Sequence, residues 1–492
     1  MVFVLLIDFV VVGVLTAIAF RKGVETALPA CTFFVILIPL ESKIQLPGFF
    51  DLTTQRLVLV TLAVLYVMLR SNKSYLTWQQ TTPLKYLIWA HIVWSSLSTV
   101  NSIDFSLSFK RLLSQVFEYY LLYYIFTKTV SHVRTIHRIL FAMVAAISIC
   151  CSFGALEAYT GWSVVQLFPE EFWVRYGEGF GPLIVEFDRG LRVRSTFPHA
   201  ILFGAAIAIT IPLALYLLTV IQSHIQRVFL WLGILLMFWN IYKTDSRGPW
   251  LALVISLGLS FPIVRERMRK YLLLIGLLTI TVLVLRPGVG ETIKDTYIAT
   301  LDPSTPMGAS YAYRGTLLQV VTQALAKDPR RQIWGYGMGS FYFLGLEADF
   351  QGRRYKFLSC DSAWIDIMVE TGYVGLFIVS LLLLNAALMT FKDFRKLAKP
   401  DNSLCLVLLI SLCAFFFMMT NVEIYSWGQT GHMLWILIAV AMGYRKLKCN
   451  DGPTGSSAWP SALKSEGLRQ TIPINDSPAQ HAFAHMTVLA GG

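Results

Sequence analysis

Charge is scarce in this sequence. Of 492 residues, 14% are charged and 55% are hydrophobic, whereas a soluble globular protein has about 25% charged residues. So few charged side chains cannot coat several soluble domains. The composition therefore excludes an ordinary cytosolic enzyme and a disordered protein.

Paired cysteines are lacking as well. The seven cysteines contain no CxxC pair, and no two of them flank a loop, so we expect neither a structural disulfide nor a zinc site. No basic segment precedes the apolar residues 1–20, which indicates a retained membrane span rather than a cleaved signal peptide.

The net charge is +12. Because membrane proteins collect basic residues in cytoplasmic loops, this excess does not indicate nucleic-acid binding.

Long apolar runs are abundant instead, and each is long enough to cross a bilayer as a helix. The second run is short and contains Pro29 and Pro39. We therefore predict an all-α polytopic membrane helix bundle with about 12–13 transmembrane helices. The predicted spans lie at 1–20, 26–40, 55–70, 84–100, 108–127, 138–158, 199–221, 227–243, 248–264, 270–286, 372–391, 403–420 and 430–444.

Basic residues in alternate short connections predict the orientation, because such connections are usually cytoplasmic. Residues 265–270 carry four basic side chains and 421–429 carry none, although Lys243 and Arg247 run against the pattern. The N-terminus is then outside and the C-terminus cytoplasmic. The expected divisions are N-terminal transmembrane helices at 1–158, a periplasmic loop at 159–198, central transmembrane helices at 199–286, a large periplasmic loop with the active site at 287–371, C-terminal transmembrane helices at 372–448 and a disordered cytoplasmic tail at 449–492.

The first long loop ends in a basic cluster that contains Arg192, Arg194 and His199. One interpretation is a juxtamembrane cluster that meets lipid headgroups. The other is a binding patch for an anionic substrate, since the planar fork of arginine binds phosphate through two parallel hydrogen bonds.

A second motif, Ser246-Arg247-Gly248, lies where an outer helix begins. Asp245 or Ser246 is a candidate N-cap for that helix. An arginine at the membrane boundary either extends to water or faces a polar cavity. We therefore hold Ser246 as a candidate substrate-binding residue and Arg247 as a candidate catalytic one.

The second long loop contains a predicted amphipathic helix from Tyr311 to about Ala326, with Arg314 in its first turns. The sequence GYGMGSF follows it. A GxGxG pattern alone is weak evidence for phosphate binding, and no strand or Lys-Ser/Thr completes a nucleotide fold. We interpret these glycines mainly as turn geometry.

A helix start is predicted at Asp361 and Ser362. Asp366 and Glu370 follow at i, i+4 and share one helix face. Asp361 is either a simple N-cap or a carboxylate at the bilayer boundary that faces the arginines.

These residue types suggest a group-transfer chemistry. Arginines neutralise the charge of a leaving pyrophosphate without a metal, and a carboxylate orients or deprotonates an attacking sugar hydroxyl. No DxD-like metal pair occurs in the outer loops. We therefore expect no cofactor and no bound metal.

The order of these motifs resembles the O-antigen ligase and polymerase superfamily of membrane glycosyltransferases. The resemblance rests on SRG at a helix start, Arg314 in the long loop, the GYGMGSF turn and Asp361-Ser362 followed by Gly372 and Gly375, and it covers roughly residues 190–390. In the ligase branch the last motif begins with histidine, where this chain has Asp361. Polymerisation of O-antigen or exopolysaccharide units is therefore at least as well supported as ligation in lipopolysaccharide synthesis.

The resemblance implies specific roles and partners. Arg247 and Arg314 would contact the undecaprenyl pyrophosphate of a lipid-linked glycan donor, and Asp361 would activate the hydroxyl of a glycan or lipid-linked acceptor. Direct displacement would invert the anomeric carbon without metal. His199 is a substitute candidate for the base. The resemblance also implies a multi-pass protein of the bacterial inner membrane, and chain-length regulator and flippase proteins are its candidate partners.

Two other functions stay open at this point. A lipid-linked-glycan flippase needs charged residues deep in its spans, and Glu118 and Glu157 are the nearest examples. The second open function is that of a non-catalytic component of a polysaccharide assembly complex. Aromatic residues of the outer loops either stack on sugars or form an interfacial belt: Trp162, Phe172, Trp173, Tyr176, Trp334, Tyr336, Phe341, Tyr342 and Phe343.

Overall fold

The structure is a computed structural model of the chain. It describes residues 2–45, 51–70, 82–173, 181–186, 190–261, 305–350 and 353–450, with isolated positions between 269 and 302. Tyr176, most of the predicted span 270–286 and nearly all of the predicted tail 449–492 lie outside these residues. The contacts described below belong to one compact unit, Met1–Leu447.

Helices make up almost all of the regular structure. They are α1 (Val2–Lys22), α2 (Val24–Leu37), α3 (Thr54–Arg70), α4 (Lys85–Val100), α5 (Phe105–Gln115), α6 (Leu121–Thr129), α7 (Val133–Thr160), α8 (Ala200–Val220), α9 (His224–Lys243), α10 (Arg247–Ser260), α11 (Pro306–Ala326), α12 (Pro329–Trp334), α13 (Ala363–Lys396), α14 (Asn402–Met418) and α15 (Gly428–Asn450). A π-helical turn, Val116–Tyr120, joins α5 to α6.

Three short 3-10 helices, Val164–Leu167, Glu170–Phe172 and Phe341–Leu344, and three two-stranded antiparallel hairpins complete the described part of the chain. The hairpins pair β1 (Lys43–Ile44) with β2 (Leu52–Thr53), β3 (Ile184–Glu186) with β4 (Gly190–Arg192), and β5 (Glu347–Phe350) with β6 (Arg353–Lys356).

The helices confirm the predicted fold class. Apart from 270–286, every predicted span falls on helical structure; the span 108–127 covers α5, the π-helical turn and α6, and the span 372–391 is the middle of α13. Among the described residues, five helices are long and apolar enough to cross a membrane, namely α1, α7, α8, α9 and α13. The chain is an all-α polytopic membrane helix bundle.

Helix α8 lies at the centre of the bundle. It is apolar on every side, which is typical of a helix surrounded by other helices, and 94% of its most apolar window is buried. It packs against α7, α9, α10 and α14. Gly204 allows close contact with α10, since a Cβ there would lie 2.8 Å from Cγ of Pro249.

A smaller apolar cluster holds the segment 305–360 onto the start of α13. Leu317, Val321 and Leu325 form the buried stripe of α11, as the amphipathic pattern predicts. They pack with Phe341, Phe357 and the first turns of α13. Burial of this stripe fixes the position of Arg314, which lies on the same helix.

Helix α13 is broken at Gly372, whose backbone angles are φ 70° and ψ −175°. The break frees carbonyl groups that ordinarily accept hydrogen bonds within the helix. The N–H of Tyr336 donates to the carbonyl of Val369 at 2.8 Å, and that of Gly337 donates to the carbonyl of Glu370 at 3.0 Å. Trp94 Nε1 donates to the carbonyl of Thr371 at 2.9 Å. The glycine-rich turn and α4 are therefore docked on the break.

The glycines of GYGMG serve this docking as well as the turn. A Cβ on Gly335 would lie 2.4 Å from the carbonyl oxygen of Glu370, and one on Gly372 would lie 2.3 Å from that of Ile333. The two backbones cross too closely for any side chain. The sequence predicted mainly turn geometry for these glycines, and it could not indicate the segment against which they pack.

Gly372→Ala should destabilise the protein by about 3 kcal/mol or more, because it adds a steric clash to a backbone conformation that is nearly exclusive to glycine. Gly345→Ala is the matched control: Gly345 also has a positive φ, of 57°, but nothing lies within 4 Å of its Cβ position. We expect the control to lose about 1 kcal/mol. Thermal unfolding in detergent measures both, and equal losses would contradict the docking account.

Candidate functional site

Residues 418–422, at the end of α14, form a turn that anchors three other segments; we call it the anchoring turn. The carbonyl of Met419 accepts hydrogen bonds from the N–H of Ala363 at 2.9 Å and from Ser362 Oγ at 3.2 Å. The carbonyl of Asn421 accepts one from Arg314 Nη2 at 3.1 Å. This turn therefore holds the start of α13 and the Arg314 guanidinium together.

Arg314 and Asp361 face each other at this turn. Arg314 Nη2 lies 3.9 Å from Asp361 Oδ2, and the two side chains are 23% and 40% exposed. Burial raises the pKa of the Asp361 carboxyl, and the Arg314 charge acts in the opposite direction. The pair is accessible enough to meet a substrate.

Arg247 begins α10 at the same turn. A Cβ on its neighbour Gly248 would lie 3.6 Å from the Asn421 side chain and from Cε of Met418. The start of α10 therefore packs directly on the anchoring turn. The three residues predicted to be catalytic, Arg247, Arg314 and Asp361, all belong to segments that meet there.

Arg192 is buried beneath the start of α10. Its Nη2 donates to Ser246 Oγ at 2.8 Å, and its Nε donates to the carbonyl of Thr244 at 3.1 Å. Ser246 is the N-cap residue of α10, but its side chain makes no capping hydrogen bond. Its hydroxyl donates to the carbonyl of Thr244 instead. Arg192 thus links the hairpin β3–β4 to the helix that carries Arg247.

Arg194 and His199 are engaged inside the protein. Arg194 Nη2 lies 3.1 Å from Glu41 Oε1, and both side chains are almost completely buried. His199 Nδ1 accepts a hydrogen bond from the N–H of Ile201 and so caps α8. Burial, with the charges of Arg192 and Arg194, lowers the pKa of His199 to about 3. These contacts give both residues a structural role.

A small cavity of about 20 Å³ lies beside the first turns of α13; we call it the acidic cavity. Asp366 and Glu370 line it, and so does Glu423, which follows the anchoring turn. Gln115 and Tyr425 belong to the same wall. Asp366 and Glu370 were predicted to share one helix face, whereas Glu423, Gln115 and Tyr425 were not predicted. The available signal was a single acidic residue in 421–429, a short connection without basic side chains.

The carboxylates of the acidic cavity are held by neighbouring donors. The N–H of Gly339 donates to Glu370 Oε1, and Ser426 donates to Glu423 Oε1 through Oγ at 2.6 Å. Burial and the Asp366 charge raise the pKa of Glu423. Within the described part of the chain, no group of three His, Cys, Asp or Glu residues has metal-binding geometry.

Several of the aromatic residues predicted either to stack on sugars or to form an interfacial belt pack against protein. Trp334 stacks on Trp94 with ring centroids 4.3 Å apart, and Phe341 is buried. Trp173 Nε1 donates to the carbonyls of Val165 and Phe168. Tyr342 and Phe343 remain exposed.

The bundle and the arginine–aspartate site define a multi-pass membrane protein with a polar centre at one end of its helices. Residues 232–380 match the family model described as O-Antigen ligase. The match covers under a third of the chain and includes Arg247, Arg314 and Asp361. It confirms the predicted resemblance to the O-antigen ligase and polymerase superfamily and supports a membrane enzyme of that type. No curated protein matches the chain.

Arg194→Met should destabilise the protein by about 3–5 kcal/mol, because it leaves the Glu41 carboxylate buried without its partner. Arg354→Met is the matched control, since Arg354 pairs with Glu347 at 2.7 Å but is 79% exposed. An exposed pair contributes about 0–1 kcal/mol. Thermal unfolding in detergent compares the two, and a small loss for Arg194→Met would contradict the structural role.

Proposed function

We propose that the protein is a glycosyltransferase of the bacterial inner membrane that acts at the periplasmic face. Its donor is an undecaprenyl-pyrophosphate-linked glycan, and its acceptor is a hydroxyl of a second glycan, free or lipid-linked. The reaction extends or attaches O-antigen or exopolysaccharide units. Flippase and chain-length regulator proteins are its expected partners in the membrane.

The observation that carries this proposal is the meeting of Arg314 and Asp361 at 3.9 Å on the turn against which α10 begins. Two guanidinium groups and one carboxylate suit the two requirements of the transfer. The guanidinium groups can bind the anionic pyrophosphate of the donor, and the carboxylate can accept the proton of the acceptor hydroxyl. All three lie within the segment that matches the O-Antigen ligase family.

In the proposed reaction, Arg247 and Arg314 bind the pyrophosphate of the donor through paired hydrogen bonds. The acceptor oxygen attacks the anomeric carbon from the opposite face. The bond between that carbon and the pyrophosphate oxygen breaks, and the electron pair leaves with the pyrophosphate. Attack from the opposite face inverts the anomeric configuration. The arginines stabilise the charge that grows on the leaving group.

Asp361 accepts the proton of the attacking hydroxyl. A general base works best when its pKa is near the operating pH. Burial raises the pKa of Asp361, and the charge of the nearby Arg314 acts in the opposite direction. Asp361 therefore combines partial exposure with a higher basicity than a carboxylate in water.

Asp361→Asn should reduce transfer by at least about 100-fold, because the amide cannot accept the proton. Binding of the lipid-linked donor should change little. The assay uses purified protein and the lipid-linked saccharide that accumulates in cells lacking this chain. Asp349→Asn, on the exposed hairpin β5–β6, is the control and should retain activity. Wild-type product yield from Asp361→Asn would rule out this role for Asp361.

Arg247→Ala and Arg314→Ala should each weaken donor use by about 10–100-fold, since each removes charge-assisted hydrogen bonds to the pyrophosphate. Cells carrying either variant should lose polymer and accumulate the lipid-linked saccharide on the outer leaflet. Arg354→Ala should leave both quantities unchanged. Accumulation on the inner leaflet would indicate a flippase and contradict the enzymatic proposal.

A further inference from the structure

We propose that the acidic cavity binds one hydroxyl group of the acceptor saccharide and so positions a neighbouring hydroxyl for attack. This inference rests on the proposed function and adds to it a subsite for the acceptor. The cavity lies apart from the arginines that would bind the donor pyrophosphate.

The size of the cavity fits a single hydroxyl. Its free central space is about 20 Å³, which holds one water-sized group. Asp366, Glu370 and Glu423 on its wall are each partly exposed. A hydroxyl or hydroxymethyl group on a larger sugar therefore fits without displacing the helices.

Gln115 supplies an acceptor atom that has no partner. The residue is 4% exposed, and its Oε1 makes no hydrogen bond. Its Nε2 donates to the hydroxyls of Tyr120 at 3.2 Å and Tyr425 at 3.3 Å. The Tyr120 hydroxyl in turn contacts His91 Nδ1. These contacts orient the amide, and a buried acceptor without a donor indicates a missing hydrogen-bond donor.

The local backbone is unusual at the same place. Gln115 ends α5 and is followed directly by the π-helical turn Val116–Tyr120. Single π-helical turns occur often at functional sites, because the extra residue turns side chains in a new direction. Here that turn includes Tyr120, whose hydroxyl accepts a hydrogen bond from Gln115 Nε2.

The charges of the cavity decide what it binds. Three acidic side chains and the Gln115 amide oxygen offer hydrogen-bond acceptors, and the charge of the nearby Arg111 offsets only part of theirs, so a neutral polar group matches the cavity better than a phosphate. The carboxylates do not form a metal-binding group among the described residues. A neutral group that donates hydrogen bonds satisfies them, and sugar hydroxyls are such groups.

The cavity adjoins the proposed reaction centre through two stretches of chain. Asp366 follows Asp361 by five residues across the start of α13. Glu423 follows Asn421, whose carbonyl accepts from Arg314. An acceptor sugar held in the cavity through one hydroxyl would therefore lie next to Asp361, while its anionic donor lies with the arginines.

The test measures donor and acceptor use separately, with the full-length protein in lipid nanodiscs. The donor is the lipid-linked saccharide from cells lacking this chain, and the acceptor is the saccharide that mild acid releases from it. Gln115→Leu and Asp366→Asn should each raise the KM for the acceptor about tenfold or more, because each removes a hydrogen-bond acceptor or its charge. The KM for the donor should stay within about twofold.

Gln429→Leu is the matched control for Gln115→Leu. Gln429 is fully buried and also has an Oε1 without a partner, but it does not line the cavity. Asp393→Asn is the control for Asp366→Asn, because Asp393 lies near the other end of α13 and pairs with Arg445. Neither control should change the acceptor KM. Thermal unfolding checks that the compared variants are folded.

The outcomes separate the two proposals. A raised acceptor KM for both cavity variants and for neither control supports the subsite. If the wild-type protein transfers the saccharide and the cavity variants match their controls, the subsite inference is wrong and the proposed function stands. If the wild-type protein does not consume the lipid-linked saccharide at all, the proposed function itself is wrong.

Discussion

The backbone carbonyls of the turn that follows α14 are the interaction on which the rest of the site depends. The N–H groups of Met419 and Asn421 bond to the last carbonyls of α14 itself. The carbonyl of Met419 accepts from the N–H of Ala363 at the start of α13, and the carbonyl of Asn421 accepts from the Arg314 guanidinium. Arg314 and Asp361 meet because the Arg314 guanidinium and the backbone at the start of α13 bind to the same turn.

The break at Gly372 is a second constraint of the same kind. Non-helical backbone within a membrane bundle is tolerated where its polar groups find partners in the protein. The glycine-rich turn supplies those partners through the N–H groups of Tyr336 and Gly337. The same turn then places the N–H of Gly339 on the Glu370 carboxylate. The glycine-rich turn thus bonds the carbonyls that the break in α13 leaves without helical partners, and it also positions the Glu370 carboxylate.

Basic and acidic side chains of the site meet at the anchoring turn. Arg314 and the start of α10, which carries Arg247, contact that turn, and Glu423, which directly follows it, lines the acidic cavity. Asp361 lies 3.9 Å from Arg314 and five residues before Asp366 of the cavity wall.

The sequence by itself determined the membrane bundle and nearly all of its helices, and it predicted Arg247, Arg314 and Asp361 as site residues, since apolar periodicity and short motifs are local properties. It could not distinguish Arg194, whose guanidinium pairs with buried Glu41, from Arg314, because both are arginines beside helices. It also did not indicate that Gln115 and Glu423, which are far apart in the chain, line one cavity. Only the tertiary structure decided which of these side chains are buried and which lie together, because burial and long-range hydrogen bonds exist only once the helices have packed.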